Sequence, residues 1–211
     1  IINDDKTKSG MDDPKTVEAM EMLEGWIKDG VLPPIETMSE NGEDVLLESG
    51  KVAMVPQGSW MIAAFRDNEY TAENCDCVEL PKSATTGRRA SLYNGLGWAA
   101  AANTEHPEEA WQLIEYLGSK EAQEKQAELG VTMSAYTGTS EAWAKSANFN
   151  LQAYINMMDD MEIRPYSRST VTWENKNSEI LKSVYSGDKT MADACKEMAE
   201  QMNESLAEEQ Q

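Results

Sequence analysis

The hydrophobic pattern near the start of the chain is that of an amphipathic helix. Its apolar residues recur three or four positions apart, at Val17, Met20, Leu23 and Ile27. Pro14 suits the first turn of a helix because an amide hydrogen is not needed there. Asp12 or Asp13 can cap that turn, and Gly30 can close the other end. The spacing therefore predicts a helix that begins at Pro14 and ends near Gly30.

Further helices are predicted from the same periodicity and from capping residues. Thr37 and Glu40 have the spacing of a capping box, which predicts a helix that continues through Leu47 and ends at Gly50. Apolar periodicity, caps and breakers predict seven more helices, over residues 59–65, 104–117, 119–130, 140–147, 151–161, 173–185 and 190–207. Helices are thus expected to occupy most of the chain.

Three short stretches have the composition of β-strands: residues 51–55, 75–80 and 92–102. The third contains Gly95 and Gly97, and glycines inside a strand mark a bend or the close approach of another backbone. Because the predicted strands are few and separated by helices, the chain is predicted to be an α/β protein with a parallel or mixed sheet.

Composition narrows the classes of function. The chain has 211 residues, 40% of them apolar, which is enough for a packed core. Its 38 acidic and 18 basic residues give a net charge of -20. Such a surface keeps the protein in solution and repels phosphate backbones and anionic membranes. We therefore expect neither a nucleic-acid partner nor an anionic membrane surface as a partner.

Cysteines and apolar runs do not identify a compartment. Cys75, Cys77 and Cys195 are too few for a disulfide framework, and we expect them to be reduced and mostly buried. No apolar run reaches the roughly 18 residues of a membrane span. The chain begins in a polar run without a signal segment. We therefore expect it to be processed, truncated or cut from a longer protein.

The sequence lacks the residue sets of common catalytic and cofactor sites. His106 is the only histidine and precedes Pro107 at a predicted helix start, where we expect it to be exposed and inert. Because this lone histidine is expected to be inert, we expect no Ser-His-Asp or Cys-His set within the chain. The phosphate-binding pattern G-x-x-x-x-G-K-S/T is missing. Asp159 and Asp160 are helix neighbours that point in different directions. We expect no cofactor and no metal.

The six tryptophans offer a different chemistry. Three lie within predicted helices, where packing is the simpler interpretation: Trp26, Trp111 and Trp143. Three lie at element boundaries or in the glycine-interrupted strand: Trp60, Trp98 and Trp173. Each of these fits either a core residue or a stacking platform, and their shared placement favours the platform. An indole offers a flat, electron-rich face to the C–H groups of a sugar. Candidate partners for sugar hydroxyls are Tyr93, Asn94, Tyr166, Ser167 and Arg168.

Four stretches carry a resemblance to a known family. Residues 13–30 begin with Asp-Pro-Lys and end with Trp-Ile-Lys-Asp-Gly, and residues 48–60 run from Glu-Ser-Gly-Lys-Val-Ala-Met to Gly-Ser-Trp. Residues 95–123 begin with Gly-Leu-Gly-Trp-Ala, and residues 185–190 read Tyr-Ser-Gly-Asp-Lys-Thr. In this order and spacing, they resemble the C-terminal half of the bacterial extracellular solute-binding proteins of sugar ABC transporters, the maltose-binding-protein-like family 1.

The resemblance implies a periplasmic-binding-protein fold of class α/β, with a helix-rich three-layer αβα lobe and part of a second lobe. Residues 1–91 and 164–211 would form the C-terminal lobe, and residues 92–163 part of the N-terminal lobe. Hinge crossings would lie near residues 93–97 and 164–169. A complete member is considerably longer, so the resemblance implies a truncated fragment with an incomplete N-terminal lobe. We expect the fragment to form dimers, to swap elements or to keep this lobe partly loose.

In function, the resemblance implies the carbohydrate-binding component of an ABC importer, which captures an extracellular sugar or oligosaccharide in a cleft between the lobes. Trp60 matches the tryptophan of the family's Gly-x-Trp turn, which begins at Gly58 and stacks on sugar. Trp173 falls near a cleft aromatic of the family, and Trp98 adjoins the first crossing. The implied partners are a carbohydrate and the permease subunits. The implied location is extracellular, as a cell-surface lipoprotein or in the periplasm, and no enzymatic activity is implied.

Two other functions remain open at this point. A glycan-active enzyme domain would need two facing carboxylates near Trp60, one of them with a raised pKa. A protein–protein interaction module would need an exposed patch of the 13 methionines, which lie mostly at core spacings. The ligand is open as well, because Arg88, Arg89 and Arg168 could bind the phosphate of a sugar phosphate.

Overall fold

The computed structural model describes residues 1–210. Helices dominate this part of the chain, and only two short strands accompany them. In chain order, the elements are α1 (Pro14–Lys28), α2 (Ile35–Glu40), α3 (Glu43–Glu48), α4 (Ile62–Asp67), α5 (Glu69–Asn74), β1 (Ser91–Tyr93), α6 (Pro107–Leu117), α7 (Lys120–Glu128), α8 (Ser140–Ala144), α9 (Gln152–Asn156), β2 (Met161–Ile163), α10 (Thr170–Tyr185) and α11 (Met191–Glu208). Short 3-10 helices precede α4 and β2, at Ser59–Met61 and Met158–Asp160.

The described chain divides into two compact units. Unit 1 comprises Ile1–Asn41 and the chain from Arg164 onward, and unit 2 comprises Gly42–Ile163. The division at residue 164 coincides with the end of the region that we assign to the N-terminal lobe. The start of that region, at residue 92, falls inside unit 2. The assignment of residues to lobes therefore stays a prediction.

Unit 1 is built around α11, whose apolar face is buried along its length, at Met191, Ala194, Cys195, Met198, Ala199 and Met202. Helices α1 and α10 pack against α11, and α10 contributes the buried Trp173 and Val184. Thr190 caps α11 because its hydroxyl accepts a hydrogen bond from the amide of Asp193. The helices predicted in this unit over residues 14–30, 173–185 and 190–207 are confirmed.

Unit 2 has a core of its own, formed by Leu47, Ile62, Phe65, Ala127, Trp143, Phe149 and Leu151. These residues come from α3, α4, α7, α8 and the segment before α9. Strands β1 and β2 pair in parallel, with Ser91 opposite Met161 and Tyr93 opposite Ile163. A ladder of two short strands contributes little stability by itself, so helix packing provides most of the stability of this unit.

The strand predictions are largely wrong. Residues 51–55 and 75–80 form no strand, and of residues 92–102 only the first two belong to β1. Alternating apolar residues favour extended backbone, but a strand also needs a neighbour that pairs with its amide and carbonyl groups. In the described chain, β2 supplies such a neighbour to β1 alone.

The predicted helix through Leu47 is also divided differently. The chain forms α2 and α3 instead, and Thr37 lies inside α2 rather than at a cap. Gly42 separates the two helices in an extended conformation, with φ -61° and ψ 153°. Gly50 follows α3 at φ +69°, as predicted for a closing glycine, because glycine adopts this left-handed region at little cost.

The predictions for cysteine and histidine agree with the structure in part. All three cysteines are free; Cys195 is buried, whereas Cys75 and Cys77 are only half-buried. His106 is exposed at the start of α6, where its amide donates to the Thr104 hydroxyl.

Candidate functional site

Trp60 lies in the 3-10 helix that leads into α4. The residues that follow it turn inward: Met61 packs against the unit 2 core, and Ile62 is part of that core. The side chain of Trp60, in contrast, is 56% exposed. The buried start of α4 thus fixes the backbone at Trp60 while the indole remains open to solvent. This is the exposure that a stacking platform requires.

The indole of Trp60 rests on Gly58. A Cβ atom at Gly58 would lie well inside van der Waals contact of three ring carbons, Cε3, Cζ3 and Cη2. Gly58 has an ordinary extended conformation, with φ -84° and ψ 161°. Glycine is therefore needed here for space and not for an unusual backbone angle. The Gly-x-Trp spacing places the ring against the backbone of its own turn.

The side-chain amide of Gln57 braces the first residue of this turn. Its Oε1 accepts a hydrogen bond from the amide of Gly58 at 2.8 Å, and its Nε2 donates to the Glu43 carboxylate at 3.1 Å. Glu43 lies in the first turn of α3, where a carboxylate interacts favourably with the helix dipole. The turn is thereby tied to α3.

Two further hydrogen bonds hold the turn from more distant parts of unit 2. The hydroxyl of Tyr154 in α9 donates to the main-chain carbonyl of Gln57 at 3.1 Å. The hydroxyls of Ser59 and Thr132 lie 3.1 Å apart and share a hydrogen bond. Burial raises the pKa of the Tyr154 hydroxyl, with the nearby Cys77 thiol as a smaller cause, so this group is a protonated donor near neutral pH.

The other predicted residues of unit 2 are exposed but not part of this turn. Tyr93 ends β1, and Asn94 and Trp98 follow it in an irregular stretch; Trp98 is 60% exposed. Within residues 1–210 no side-chain hydrogen bond joins these three residues to the Trp60 turn. Their role in binding stays a prediction.

Trp173 is a core residue of unit 1. Its side chain is only 4% exposed, and its indole N–H donates to the hydroxyl of Ser167 at 3.0 Å. The faces of the ring are covered by the packing of α10 on α11. This packing does not support the stacking role predicted for Trp173.

Tyr166 and Arg168 lie in the segment that precedes α10 and are exposed. The ammonium of Lys6 lies 3.2 Å from the centroid of the Tyr166 ring, in a cation–π arrangement. The main-chain amide of Arg168 donates to the carboxylate of Glu209 at 3.0 Å. Their predicted contacts with sugar stay untested.

Glu209 makes an unexpected cap on α10. Its carboxylate accepts hydrogen bonds from the Ser167 hydroxyl and the Ser169 amide, both at 2.7 Å, and from the Ser169 hydroxyl. Desolvation acts to raise the pKa of this carboxyl, but the hydrogen bonds from Ser169, Ser167 and Arg168 outweigh it and lower the pKa to about 2. The end of α11 is thus anchored at the start of α10.

The charged groups give little support to the alternative functions. The carboxyl groups with a shifted pKa, at Asp67, Glu79 and Glu209, are all shifted downward, whereas a general acid needs an upward shift. Arg89 is paired with Glu79, and Arg88 with Glu162 at 3.3 Å. Two of the three arginines considered for a phosphate are therefore already neutralised.

The remaining aromatic and methionine residues are distributed unevenly. Trp143 is fully buried as predicted, whereas Trp111 is 61% exposed, so the packing role predicted for Trp111 is wrong. Trp26 is partly exposed, and its predicted packing role is confirmed only in part. Five methionines are buried in the described chain. The exposed methionines Met22, Met54 and Met158 are well separated in the sequence, so no local run of the chain forms an exposed methionine patch.

Sequence reasoning missed the residues that brace the platform. Gln57 adjoins the motif and could have been noticed, but Glu43, Thr132 and Tyr154 lie 14, 73 and 97 positions from their partners. No local pattern marks such contacts. Only the folded chain brings these residues to the turn.

Comparison with known proteins identifies the class. The profile of the bacterial extracellular solute-binding protein family matches residues 2–159. Among solved structures, the chain is similar to the ABC substrate-binding protein Lmo0181 from Listeria monocytogenes in complex with cycloalternan, with a TM-score of 0.83 and 17% identity over 98% of this chain. The chain spans 53% of the length of that protein. Comparison with curated protein sequences finds no match.

The family match extends over most of the chain, so this protein belongs to the bacterial extracellular solute-binding proteins. The predicted membership is confirmed, and the structural match confirms the helix-rich periplasmic-binding-protein-like fold with its small parallel sheet. The family and the matched structure are substrate-binding proteins rather than enzymes. Within residues 1–210, no helix combines the length and apolarity needed to cross a bilayer.

Proposed function

We propose that this protein is the carbohydrate-binding component of an ABC importer and that Trp60 is its stacking platform. The single observation that carries the proposal is an exposed indole held on a glycine at the end of a braced turn, in a chain of this family. The matched structure contains an oligosaccharide, which supports a carbohydrate as the ligand. An exposed tryptophan costs little entropy to immobilise because only two side-chain torsions are lost.

The remaining predicted residues complete the proposal. Gly58 supports the platform, and further contacts are proposed for Tyr93, Asn94 and Trp98 in unit 2 and for Tyr166 and Arg168 in unit 1. We propose that the ligand lies in a cleft between the lobes and is delivered to the permease subunits. We further propose an extracellular location, as a cell-surface lipoprotein or in the periplasm.

A screen followed by one matched pair of variants tests the platform. A thermal-shift screen of neutral oligosaccharides, including cycloalternan, selects a ligand, and calorimetry then measures its affinity. Trp60→Ala should weaken binding by about 2 kcal/mol or more, as for a central aromatic contact, which is about thirtyfold. Trp26→Ala is the control because it removes an exposed indole that belongs neither to the proposed site nor to the association surface proposed below. Equal affinities of the two variants would remove Trp60 from the site.

We also propose that the chain associates with a second copy, as a dimer or by a swap of elements, through an apolar surface of unit 2. Helix α6 has no buried residue, and the exposed apolar side chains on it and before it include Leu96, Trp111 and Leu113. The solvent-accessible surface of the chain is 14410 Å². Two separate compact proteins that together have its mass of 23.4 kDa, one for each unit, would expose about 11,700 Å² in total.

The excess is about 2,700 Å² per chain, or about 5,400 Å² for two copies, which is the size of a large obligate interface counted over both partners. Light scattering with size-exclusion chromatography should therefore give twice the monomer mass at micromolar concentration, and Trp111→Ala should shift the equilibrium toward monomer. Trp60→Ala should leave the association unchanged. A compact monomer at all concentrations would rule the association out.

A further inference from the structure

A stacking platform binds its ligand more tightly if its orientation is fixed before the ligand arrives. Ordering a loose side chain or turn at the moment of binding subtracts from the affinity. The indole of Trp60 is covered by few neighbours because more than half of it faces solvent. The orientation of the indole must therefore be set by its contact with Gly58 and by the groups that hold the backbone of residues 57–59 in place.

Tyr154 connects one end of this turn to the rigid core. Its ring meets the ring of Trp143 edge to face, with centroids 5.7 Å apart and an interplanar angle of 83°. Trp143 is fully buried, so this contact fixes the ring of Tyr154 on the core of unit 2. The hydroxyl of the fixed ring then donates to the carbonyl of Gln57. The position of that carbonyl is thereby determined by the core.

Thr132 holds the other end of the turn from a separate anchored segment. The carbonyl of Leu129 accepts a hydrogen bond from the Arg66 guanidinium at 3.1 Å. Gly130 follows at φ +68°, and a side chain there would collide with Ser146. The segment is therefore fixed just before Thr132, whose hydroxyl shares a hydrogen bond with Ser59.

We propose that Tyr154 and Thr132 are positioning residues for the platform: they act on the two sides of Gly58 and set the orientation of the Trp60 indole. The proposal rests on the proposed function of Trp60 as the stacking residue. Neither hydroxyl is required to touch the ligand. Their contribution to affinity arises because the turn is already ordered in the free protein.

The first experiment needs no ligand. Protein labelled with 15N-tryptophan shows the six indole N–H resonances of the chain, and Trp60→Phe identifies the one from Trp60. Tyr154→Phe and Thr132→Val each remove one hydroxyl and keep the size of the side chain. Each should shift or broaden the Trp60 resonance. The other five resonances should stay in place, apart from a small change at Trp143 in the tyrosine variant.

Matched controls remove hydroxyls that make no hydrogen bond within residues 1–210. Tyr116→Phe lies on α6, and Thr85→Val lies in an exposed loop of the same unit. Both should leave the Trp60 resonance unchanged. If Tyr154→Phe disturbs all six resonances, the variant has lost its fold, and Thr132→Val decides the question. The proposal is overturned if the Trp60 resonance is native in Thr132→Val and also in Tyr154→Phe, provided that the latter is folded.

The second experiment measures the affinity for cycloalternan, or for the best ligand of the screen, by calorimetry. Each variant should lose affinity, by up to about fivefold, because the lost hydrogen bond of about average strength limits what ordering the turn on binding can cost. The controls should bind as the native protein does. If Trp60→Ala binds normally, the proposed function fails, and the resonance of Trp60 still decides whether the two hydroxyls orient the ring. A shifted resonance with native affinity in both variants would overturn their role in binding.

Discussion

Glu209→Gln removes one negative charge from the end of α11 and leaves the size of the side chain almost unchanged. In the native chain, this carboxylate accepts hydrogen bonds from Ser167, Arg168 and Ser169, at the amino end of α10. The N-cap of α10, Ser169, makes no side-chain cap of its own. A carboxylate at this place also interacts favourably with the dipole of α10. The variant should therefore destabilise unit 1.

The pKa of Glu209 gives the magnitude. A decrease from the ordinary value of 4.5 to about 2 corresponds to at most about 3.4 kcal/mol at 1.36 kcal/mol per pKa unit. The side chain is partly exposed, so water screens the interaction. We therefore expect Glu209→Gln to lower the free energy of unfolding by about 1 to 2 kcal/mol at pH 7, in the range of charged hydrogen bonds.

The same pKa fixes the pH dependence. A carboxyl group with a lowered pKa in the folded state stabilises that state above the unfolded-state value near 4.5, and the stabilisation is lost as the pH falls toward 2. About half or more of the difference between the native protein and Glu209→Gln should be gone at pH 3. Urea unfolding followed by far-ultraviolet circular dichroism at pH 7, 5 and 3 measures this difference.

Glu208→Gln is the matched control. Glu208 ends α11, and its exposed side chain makes no hydrogen bond within the described chain. Its replacement by glutamine changes the net charge by the same amount. The control should lie within about 0.5 kcal/mol of the native protein at pH 7. Equal stability of the two variants at pH 7, or a difference that stays constant down to pH 3, would refute the assignment of the cap to Glu209.

Other changes test the platform, a helix cap and the core. Gly58→Ala should displace the indole of Trp60 and change its fluorescence while the unfolding midpoint stays near native, whereas Gly95→Ala, where a side chain meets no neighbour, should change neither. Thr190→Ala should lower the free energy of unfolding by about 1 kcal/mol in urea because α11 loses its cap. Ile62→Ala should cost about 2 to 5 kcal/mol because it leaves a cavity in the core of unit 2, and Ile62→Val about 0.5 to 1.5 kcal/mol. A native unfolding curve for a Thr190 or Ile62 variant would contradict the role of that residue as helix cap or core residue.

Helix ends could be predicted from the sequence because their signals are local. Asp13, Ser119 and Thr190 each accept a hydrogen bond from an amide two or three residues ahead, as their positions before apolar periodic runs predict. The strands could not be predicted in this way, since pairing depends on a distant neighbour. Strand β1 pairs with residues about seventy positions away along the chain.

The sequence predicted the stacking residue of the candidate site but not the residues that hold its turn in place. The Gly-x-Trp spacing at residues 58–60 was visible in the sequence, and the structure gives that indole the required exposure. Trp143 and Trp111 show the limit, because both lie in helices of unit 2 and only the first is buried. Periodicity places a residue on a face of a helix, but only tertiary packing determines whether that face is covered.

Two of the three free thiols, those of Cys195 and Cys77, provide separate reporters for the two units. Cys195 is fully buried in unit 1, and desolvation, with a smaller effect of Glu21, raises the pKa of its thiol. Cys77 is half-buried in unit 2, where desolvation first and Asp76 second raise the pKa of its thiol to about 11. Each thiol is therefore slow to alkylate until its surroundings open. Pulsed alkylation with mass spectrometry can follow local opening of one unit while the other remains closed.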